Sequence, residues 1–111
     1  MQIRILVVDD DQDQCDYFKL VLAKDGYEVV TLTDPTQTVE LLKQSDFHLV
    51  VLDMEMPTMR GPEVLEAIRR VDTDVAVVVA TAYPTVDTAV ASLRGQASDY
   101  IKKPATMEHI L

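Results

Sequence analysis

Short apolar runs alternate with segments of helical spacing along most of the 111-residue chain. Branched apolar side chains dominate these runs, and the runs predict five strands, which cover residues 3–8, 28–32, 48–52, 75–80 and 99–102. Between them, apolar residues recur three or four positions apart, which is the spacing of one helix face. The pattern therefore predicts a regular alternation of strands and helices.

Four helix faces follow from this spacing. They comprise, in chain order, Tyr17, Phe18, Val21 and Leu22; Val39 and Leu42; Val64, Leu65 and Ile68; and Val86, Ala89, Val90 and Leu93. Asp34 can cap the second helix with Pro35 at its first position, Pro62 is tolerated in the first turn of the third, and Gly95 can terminate the fourth. Residues 105–111 predict a fifth helix of about two turns. Because that helix is short, we expect residues 1–111 to be one domain at the front of a longer protein.

Alternation of this kind predicts an α/β fold with a doubly wound, five-stranded parallel sheet and helices on both of its faces. In the common strand order 2-1-3-4-5, strands 1 and 3 are neighbours at the switch point, and ligands bind beyond their carboxyl ends. Those ends carry Asp9, Asp10, Asp11 and Asp53. The fold prediction therefore directs attention to this edge of the sheet.

The charge and cysteine content narrow the functional classes. A formal net charge of −9 without a basic patch argues against direct contact with nucleic acid or an anionic membrane. Cys15 is the only cysteine, which excludes an internal disulfide and a thiolate metal site. No apolar run approaches the roughly 20 residues of a membrane span. These features predict a cytoplasmic protein.

The aspartates predict a metal site. Carboxylates gathered in one crevice repel each other unless a cation lies among them, and oxygen ligands of this kind suit Mg²⁺ together with a phosphate. The simpler interpretation is that Asp9, Asp10 and Asp11 cap the first helix and that Asp53 starts a turn. Capping, however, needs one side-chain oxygen and not four carboxylates from two strands.

Two further polar residues fall at the same edge. Thr81 ends the fourth predicted strand, and Lys103 follows the fifth and precedes Pro104. Each alone is ordinarily a loop hydroxyl or a solvated charge. Together with a divalent cation, they supply what phosphoryl transfer to Asp53 needs to neutralise charge on the phosphoryl oxygens.

Four segments resemble the receiver domains of two-component response regulators. They are VVDD (7–10), LDMEMPTMRG (52–61), TAY (81–83) and DYIKKP (99–104), and the likeness extends over nearly the whole chain. The resemblance implies that Asp53 is the phospho-acceptor. It also implies that Asp10 binds Mg²⁺ directly, that Asp9 binds it directly or through water, and that the backbone carbonyl of Glu55 completes the protein ligands. Lys103 is implied to contact the phosphoryl group.

The resemblance further implies a switch. Thr81 and Tyr100 correspond to the pair whose hydroxyl moves toward the phosphoryl group while the aromatic ring turns inward, which changes the face formed by helix 4, strand 5 and helix 5. The side chains of Glu55 and Tyr83 would line the crevice and tune dephosphorylation, although solvated loop positions are an equal alternative. Pro104 is expected to follow a cis bond, as is usual in the family.

The chain departs from the family pattern near its end. In the loop between helix 4 and strand 5, the glycine that the family usually has stands one position early, in the run Gly95, Gln96 and Ala97. Ala105 stands where phenylalanine is common. Both departures concern the face formed by helix 4, strand 5 and helix 5, through which the resemblance implies that the signal is passed on. Elsewhere, we expect Cys15 to be a small core residue and His48 and His109 to be structural or solvated. Met54, Met56 and Met59 are expected to serve packing.

The leading hypothesis is a signalling module that receives a phosphoryl group from a sensor histidine kinase. A weaker likeness of TAYPTVDTAVASL to nitrogen-regulatory transcriptional activators implies a C-terminal effector domain or another output protein. The sequence leaves open whether phosphorylation drives homodimer formation. One alternative is a haloacid-dehalogenase-type phosphatase, but such enzymes place the nucleophile after the first strand, whereas Asp53 follows the third. The other is a flavodoxin-like module, but the three aspartates in the loop after strand 1 would repel the phosphate that this loop has to bind.

Overall fold

The alternating pattern folds as expected in the part of the chain that is described. A computed structural model describes residues 2–57, 59–81 and 97–102, the last four by their backbone alone. The elements are β1 (Arg4–Val8), α1 (Gln12–Lys24), β2 (Glu28–Leu32), α2 (Thr38–Gln44), β3 (Leu49–Asp53), α3 (Gly61–Val71), β4 (Ala76–Thr81) and β5 (Asp99–Lys102). All five predicted strands and the first three predicted helices are confirmed. The predicted helices over residues 86–93 and 105–111, with Gly95 and Pro104, lie outside the described residues.

The sheet has the predicted topology. Its strand order is β2-β1-β3-β4-β5, and every neighbouring pair is parallel. In the registers, Val8 lies opposite Leu52, and Asp53 lies opposite Ala80. The carboxyl ends of β1, β3 and β4 therefore meet at one edge of the sheet.

Helices cover both faces of the sheet. Because side chains alternate along a strand, Leu6 and Val8 pack into one core cluster and Ile5 and Val7 into the other. Helices α2 and α3 cover the first cluster with Leu41, Leu42, Val64, Leu65 and Ile68. Helix α1 covers the second cluster with Cys15, Phe18 and Leu22. Cys15 is fully buried, which confirms its predicted place in the core.

The predicted start of the second helix is wrong by one turn. Asp34 caps a short 3₁₀ turn, Pro35–Gln37, and α2 begins only at Thr38. The Asp34 carboxylate accepts hydrogen bonds from the amide and hydroxyl of Thr36, at 3.0 and 2.6 Å. The hydroxyl of Thr38 donates to the carbonyl of Pro35 at 2.8 Å. These side-chain bonds satisfy the backbone in the tighter turn before the α-helix starts.

Two strands extend one residue further than predicted. Asp53 and Thr81 are the last residues of β3 and β4, one position beyond the predicted apolar runs 48–52 and 75–80. The β3–β4 ladder continues past Asp53 because the amide of Met54 donates to the carbonyl of Ala80 at 3.2 Å. Thr81 lies opposite Lys102 of β5. Both polar side chains are therefore held by sheet backbone.

Within the described ranges, no helix is long and apolar enough to cross a membrane.

Candidate phosphoryl and metal site

Three carboxylates meet at the carboxyl edge of the sheet. Asp9 and Asp10 directly follow β1, and Asp53 ends β3. One oxygen from each lies within 4.8 Å of the oxygens from the other two. Asp9 and Asp53 are buried, with 1% and 3% of their surfaces exposed, whereas Asp10 is open to solvent. The structure thus brings together residues 43 or more positions apart in sequence, as the strand order predicts.

The three consecutive aspartates have different surroundings. Oδ1 of Asp9 accepts a hydrogen bond from the Asp11 amide at 3.0 Å, which turns the chain away from the strand. Asp11 is the N-cap of α1, where its carboxylate accepts from the Asp13 amide at 2.9 Å. The capping interpretation is therefore confirmed for Asp11 but not for Asp9 or Asp10. The Cys15 thiol donates to the Asp9 carbonyl at 3.2 Å.

The backbone after β3 orients the Asp53 carboxylate. The amide of Glu55 donates to Oδ1 of Asp53 at 3.2 Å. Met54 and Met56 are buried in the adjacent core cluster and Met59 packs against it, which confirms their predicted packing role. Apolar side chains therefore anchor this loop in the core, while the amide of Glu55 binds the Asp53 carboxylate.

Gly61 is a site-supporting residue whose role was not predicted. A β-carbon built at Gly61 would lie 2.6 Å from Cα of Met54 and 2.8 Å from the carbonyl oxygen of Asp53. The Gly61 amide also donates to the Met54 carbonyl at 3.3 Å. Only glycine allows α3 to begin so close to the end of β3. The sequence signal was a glycine at a helix start, where a capping residue is more usual.

Thr81 and Glu55 are joined across the site. The Thr81 side chain is fully buried at the end of β4, and its hydroxyl donates a hydrogen bond to Oε1 of Glu55. The Glu55 side chain itself is exposed. Glu55 therefore touches both neighbouring strand ends, through its amide at Asp53 and through its carboxylate at Thr81.

The donor set suits a hard divalent cation. The cluster offers oxygen ligands only, from two buried carboxylates and one exposed carboxylate, a number and type that suit Mg²⁺ with retained waters. The buried thiol of Cys15 is directed at a carbonyl of the backbone. The residues present thus fit the predicted metal. The Glu55 carbonyl stays a prediction as a fourth ligand.

The remaining predicted site residues are described in part or lie outside the described ranges. Tyr100 lies in β5 opposite Val79, and its backbone alone is described. Lys103 and Tyr83 lie outside the described residues. His48 has a structural role, since its Nδ1 accepts the Arg4 amide at 3.0 Å. This confirms the prediction for His48, at the amino edge of the sheet and away from the carboxylates.

A family comparison agrees with the fold and the cluster. Residues 5–111 match the family described as the response regulator receiver domain. The chain belongs to this family, and it is a receiver module of two-component signalling. The phosphatase alternative is not favoured by this match.

Curated relatives include transcriptional regulators. The transcriptional regulatory protein ZraR of Klebsiella oxytoca is 37% identical over 98% of this chain and 25% of its own length. The transcriptional regulatory protein PrrA of Mycobacterium bovis is 36% identical over 97% of this chain and 46% of its own length. The chain thus spans between a quarter and a half of these relatives.

Solved structures share the whole fold. A CheY-like receiver domain protein from Methanospirillum hungatei superposes with a TM-score of 0.89 at 30% identity, covering 99% of this chain and 88% of that one. The response regulator TrrA from Thermotoga maritima, solved in complex with Mg²⁺-BeF, has a TM-score of 0.84 at 30% identity, covering 98% and 93%. The predicted topology and the two-component class are thereby confirmed.

Proposed function

We propose that this receiver accepts a phosphoryl group on Asp53 from a phosphohistidine of a sensor kinase, in a reaction that depends on Mg²⁺. The observation that carries the proposal is the carboxylate cluster, in which a buried Asp53 at the end of a central strand lies within 4.8 Å of Asp9 and Asp10 oxygens. A structural aspartate would not need two further carboxylates at that distance. A phosphoryl acceptor that shares a cation with them does.

The transfer is a displacement at phosphorus. The Asp53 carboxylate forms the new O–P bond, the P–N bond to the kinase imidazole breaks, and its electron pair stays on the imidazole nitrogen. The Glu55 amide at 3.2 Å fixes the carboxylate rotamer before attack. Orientation of this kind lowers the barrier by removing the entropy of alignment.

The metal would be held by Asp9, Asp10 and Asp53, with the backbone carbonyl of Glu55. Bound Mg²⁺ supplies positive charge that neutralises the phosphoryl oxygens as the new bond forms. Burial of Asp9 and Asp53 supports this assignment, because a cation offsets the cost of keeping two carboxylates away from water.

Thr81, Lys103 and Tyr100 complete the proposed chemistry. The Lys103 ammonium would contact the phosphoryl group, the Thr81 hydroxyl would donate to it after transfer, and the Tyr100 ring would follow. Tyr83 and the Glu55 side chain would tune the lifetime of the phosphorylated state. Self-phosphorylation by small donors and self-dephosphorylation would be the only reactions that the domain performs on its own.

The output is proposed at the level of the whole protein. Since ZraR and PrrA are transcriptional regulatory proteins, we propose that this receiver regulates transcription in the cytoplasm through an effector domain or partner protein. With a net charge of −9, the receiver itself would not contact DNA. Dimer formation through the face of helix 4, strand 5 and helix 5 is one route by which phosphorylation would act.

Intact-mass spectrometry after incubation with acetyl phosphate tests the acceptor. We expect one added phosphoryl group that requires Mg²⁺ and disappears in Asp53→Asn. Asp74→Asn is the matched control, because Asp74 is exposed in the turn before β4, and we expect it to label as the wild type does. An adduct that persists in Asp53→Asn would refute the proposal. So would absence of both an adduct and beryllofluoride binding in the wild type.

A further inference from the structure

The hydrogen bond between Thr81 and Glu55 places the proposed switch hydroxyl under the control of an exposed side chain. Thr81 has no exposed surface, and its hydroxyl donates to Oε1 of Glu55. The Glu55 side chain reaches this buried group from the solvent side of the crevice. The contact spans the carboxyl ends of β3 and β4, next to the Asp53 carboxylate.

A threonine hydroxyl has a single hydrogen to donate. While that hydrogen is directed at the Glu55 carboxylate, the Thr81 hydroxyl is not donating to an oxygen on Asp53. The two acceptors therefore compete for the same donor. Hydrogen bonds to ionised acceptors are stronger than those between neutral groups, so a carboxylate is an effective competitor.

The backbone keeps the competitor close to the acceptor. The Glu55 amide donates to Oδ1 of Asp53 at 3.2 Å, and the Met54 amide continues the β3–β4 ladder by donating to the Ala80 carbonyl at 3.2 Å. Both bonds fix the distance between Glu55 and the end of β4. The carboxylate at position 55 is thus held within reach of Thr81 by main-chain contacts.

We propose that Glu55 positions the Thr81 hydroxyl in the resting receiver and must release it before the phosphorylated state can form its contact with Thr81. This inference rests on the proposed function, in which Asp53 carries the phosphoryl group. Glu55 thereby acts against activation through Thr81, in addition to any general repulsion between its charge and the incoming anion.

A double-mutant cycle separates these two effects. The affinity of the 111-residue chain for beryllofluoride in excess Mg²⁺ is measured by titration calorimetry for wild type, Glu55→Ala, Thr81→Val and the double variant. Glu55→Gln removes the charge but retains an acceptor oxygen, and Glu63→Ala removes an exposed carboxylate from the first turn of α3. Circular dichroism confirms that each variant is folded.

The two effects predict different changes in beryllofluoride affinity across the cycle. If Glu55 acts through Thr81, Glu55→Ala tightens binding by about threefold to tenfold in the wild-type background, the range of one net hydrogen bond, and by much less in the Thr81→Val background. Glu55→Gln changes affinity less than Glu55→Ala does, and Glu63→Ala leaves it unchanged.

Two results overturn the inference alone. One is a gain from Glu55→Ala that is equal in both backgrounds, which assigns the whole effect to charge. The other is an unchanged or weakened affinity in Glu55→Ala while the wild type binds well. If the wild type binds no beryllofluoride and takes no phosphoryl group, the proposed function fails and this inference fails with it.

Discussion

Gly61 starts α3 against the backbone of Met54, with its amide 3.3 Å from the Met54 carbonyl oxygen. A side chain at this position would have to occupy space that Met54 and the Asp53 carbonyl already fill. The close approach fixes the path of the chain between Asp53 and the helix that follows it. Backbone packing at one glycine thus supports the geometry of the carboxylate cluster.

Gly61→Ala should therefore impair both stability and the site. The added β-carbon meets backbone atoms at 2.6–2.8 Å, which overpacks the loop and should lower the free energy of unfolding by about 1–3 kcal/mol. We also expect weaker Mg²⁺ binding in the folded protein, measured by titration under conditions where the variant is native.

Gly26→Ala is the matched control for this change. Gly26 has a φ of 87° and open space where a β-carbon would lie, so alanine there strains only the local backbone, by about 1–2 kcal/mol. We expect Gly26→Ala to lose stability without losing Mg²⁺ affinity. Equal Mg²⁺ affinities for Gly61→Ala and wild type would contradict the proposed support of Asp53 by Gly61.

Asp9→Asn should separate repulsion from metal binding. Removing one of two buried carboxylates relieves like-charge repulsion, so without divalent cations the variant should be more stable by about 1 kcal/mol. Asn can keep the acceptor for the Asp11 amide. Urea unfolding in EDTA measures this gain, and a loss of stability there would contradict the view that the cluster repels itself.

With Mg²⁺ present, wild type should be more stable than Asp9→Asn. A ligand at 100 times its dissociation constant stabilises the native state by about 2.7 kcal/mol, and wild type should gain this amount while Asp9→Asn gains little. Asp74→Asn should respond to Mg²⁺ as wild type does, because Asp74 is exposed and far from the cluster in sequence.

The thiol of Cys15 should react only when the chain opens. It is fully buried in α1 and donates to the Asp9 carbonyl at 3.2 Å. As the only cysteine, it gives a single-site signal for alkylation by iodoacetamide. We expect protection in buffer and modification in urea in proportion to the unfolded fraction. Rapid alkylation under native conditions would show that α1 opens locally.

Arg4→Lys should reduce stability without affecting the chemistry. The Arg4 guanidinium donates to Glu28 at 3.0 Å and to the Asp46 carbonyl at 2.9 Å, and it lies 4.7 Å from the centre of the Phe47 ring. A lysine ammonium lacks the planar fork that makes these contacts together, so we expect a loss of about 1 kcal/mol in urea unfolding. Labelling of Asp53 by acetyl phosphate should be unchanged, because Arg4 lies at the opposite edge of the sheet.

Periodicity, together with the common strand order of doubly wound sheets, was enough to predict the topology and the meeting of the aspartates. Apolar runs locate buried strands, and parallel topology then brings Asp9, Asp10 and Asp53 to one edge whatever the loops do. These predictions succeeded because each depends on burial over several residues and not on a single contact.

Predictions that depended on individual hydrogen bonds were less complete. The 3₁₀ turn after Asp34 is set by hydroxyls of Thr36 and Thr38, for which helix-start patterns have no equivalent. The need for Gly61 arises from a backbone approach between segments, and the Thr81–Glu55 bond depends on rotamers at two strand ends. Such contacts are visible only once the chain is folded.

The beginning of α1 gives the cluster a partial counter-charge of its own. Asp11 caps this 13-residue helix directly after Asp9 and Asp10, so the positive end of the helix dipole lies beside the acidic crevice. Fixed dipoles of this kind stay in place when a cation leaves. We therefore expect the helix dipole to offset part of the repulsion among the carboxylates while no cation is bound.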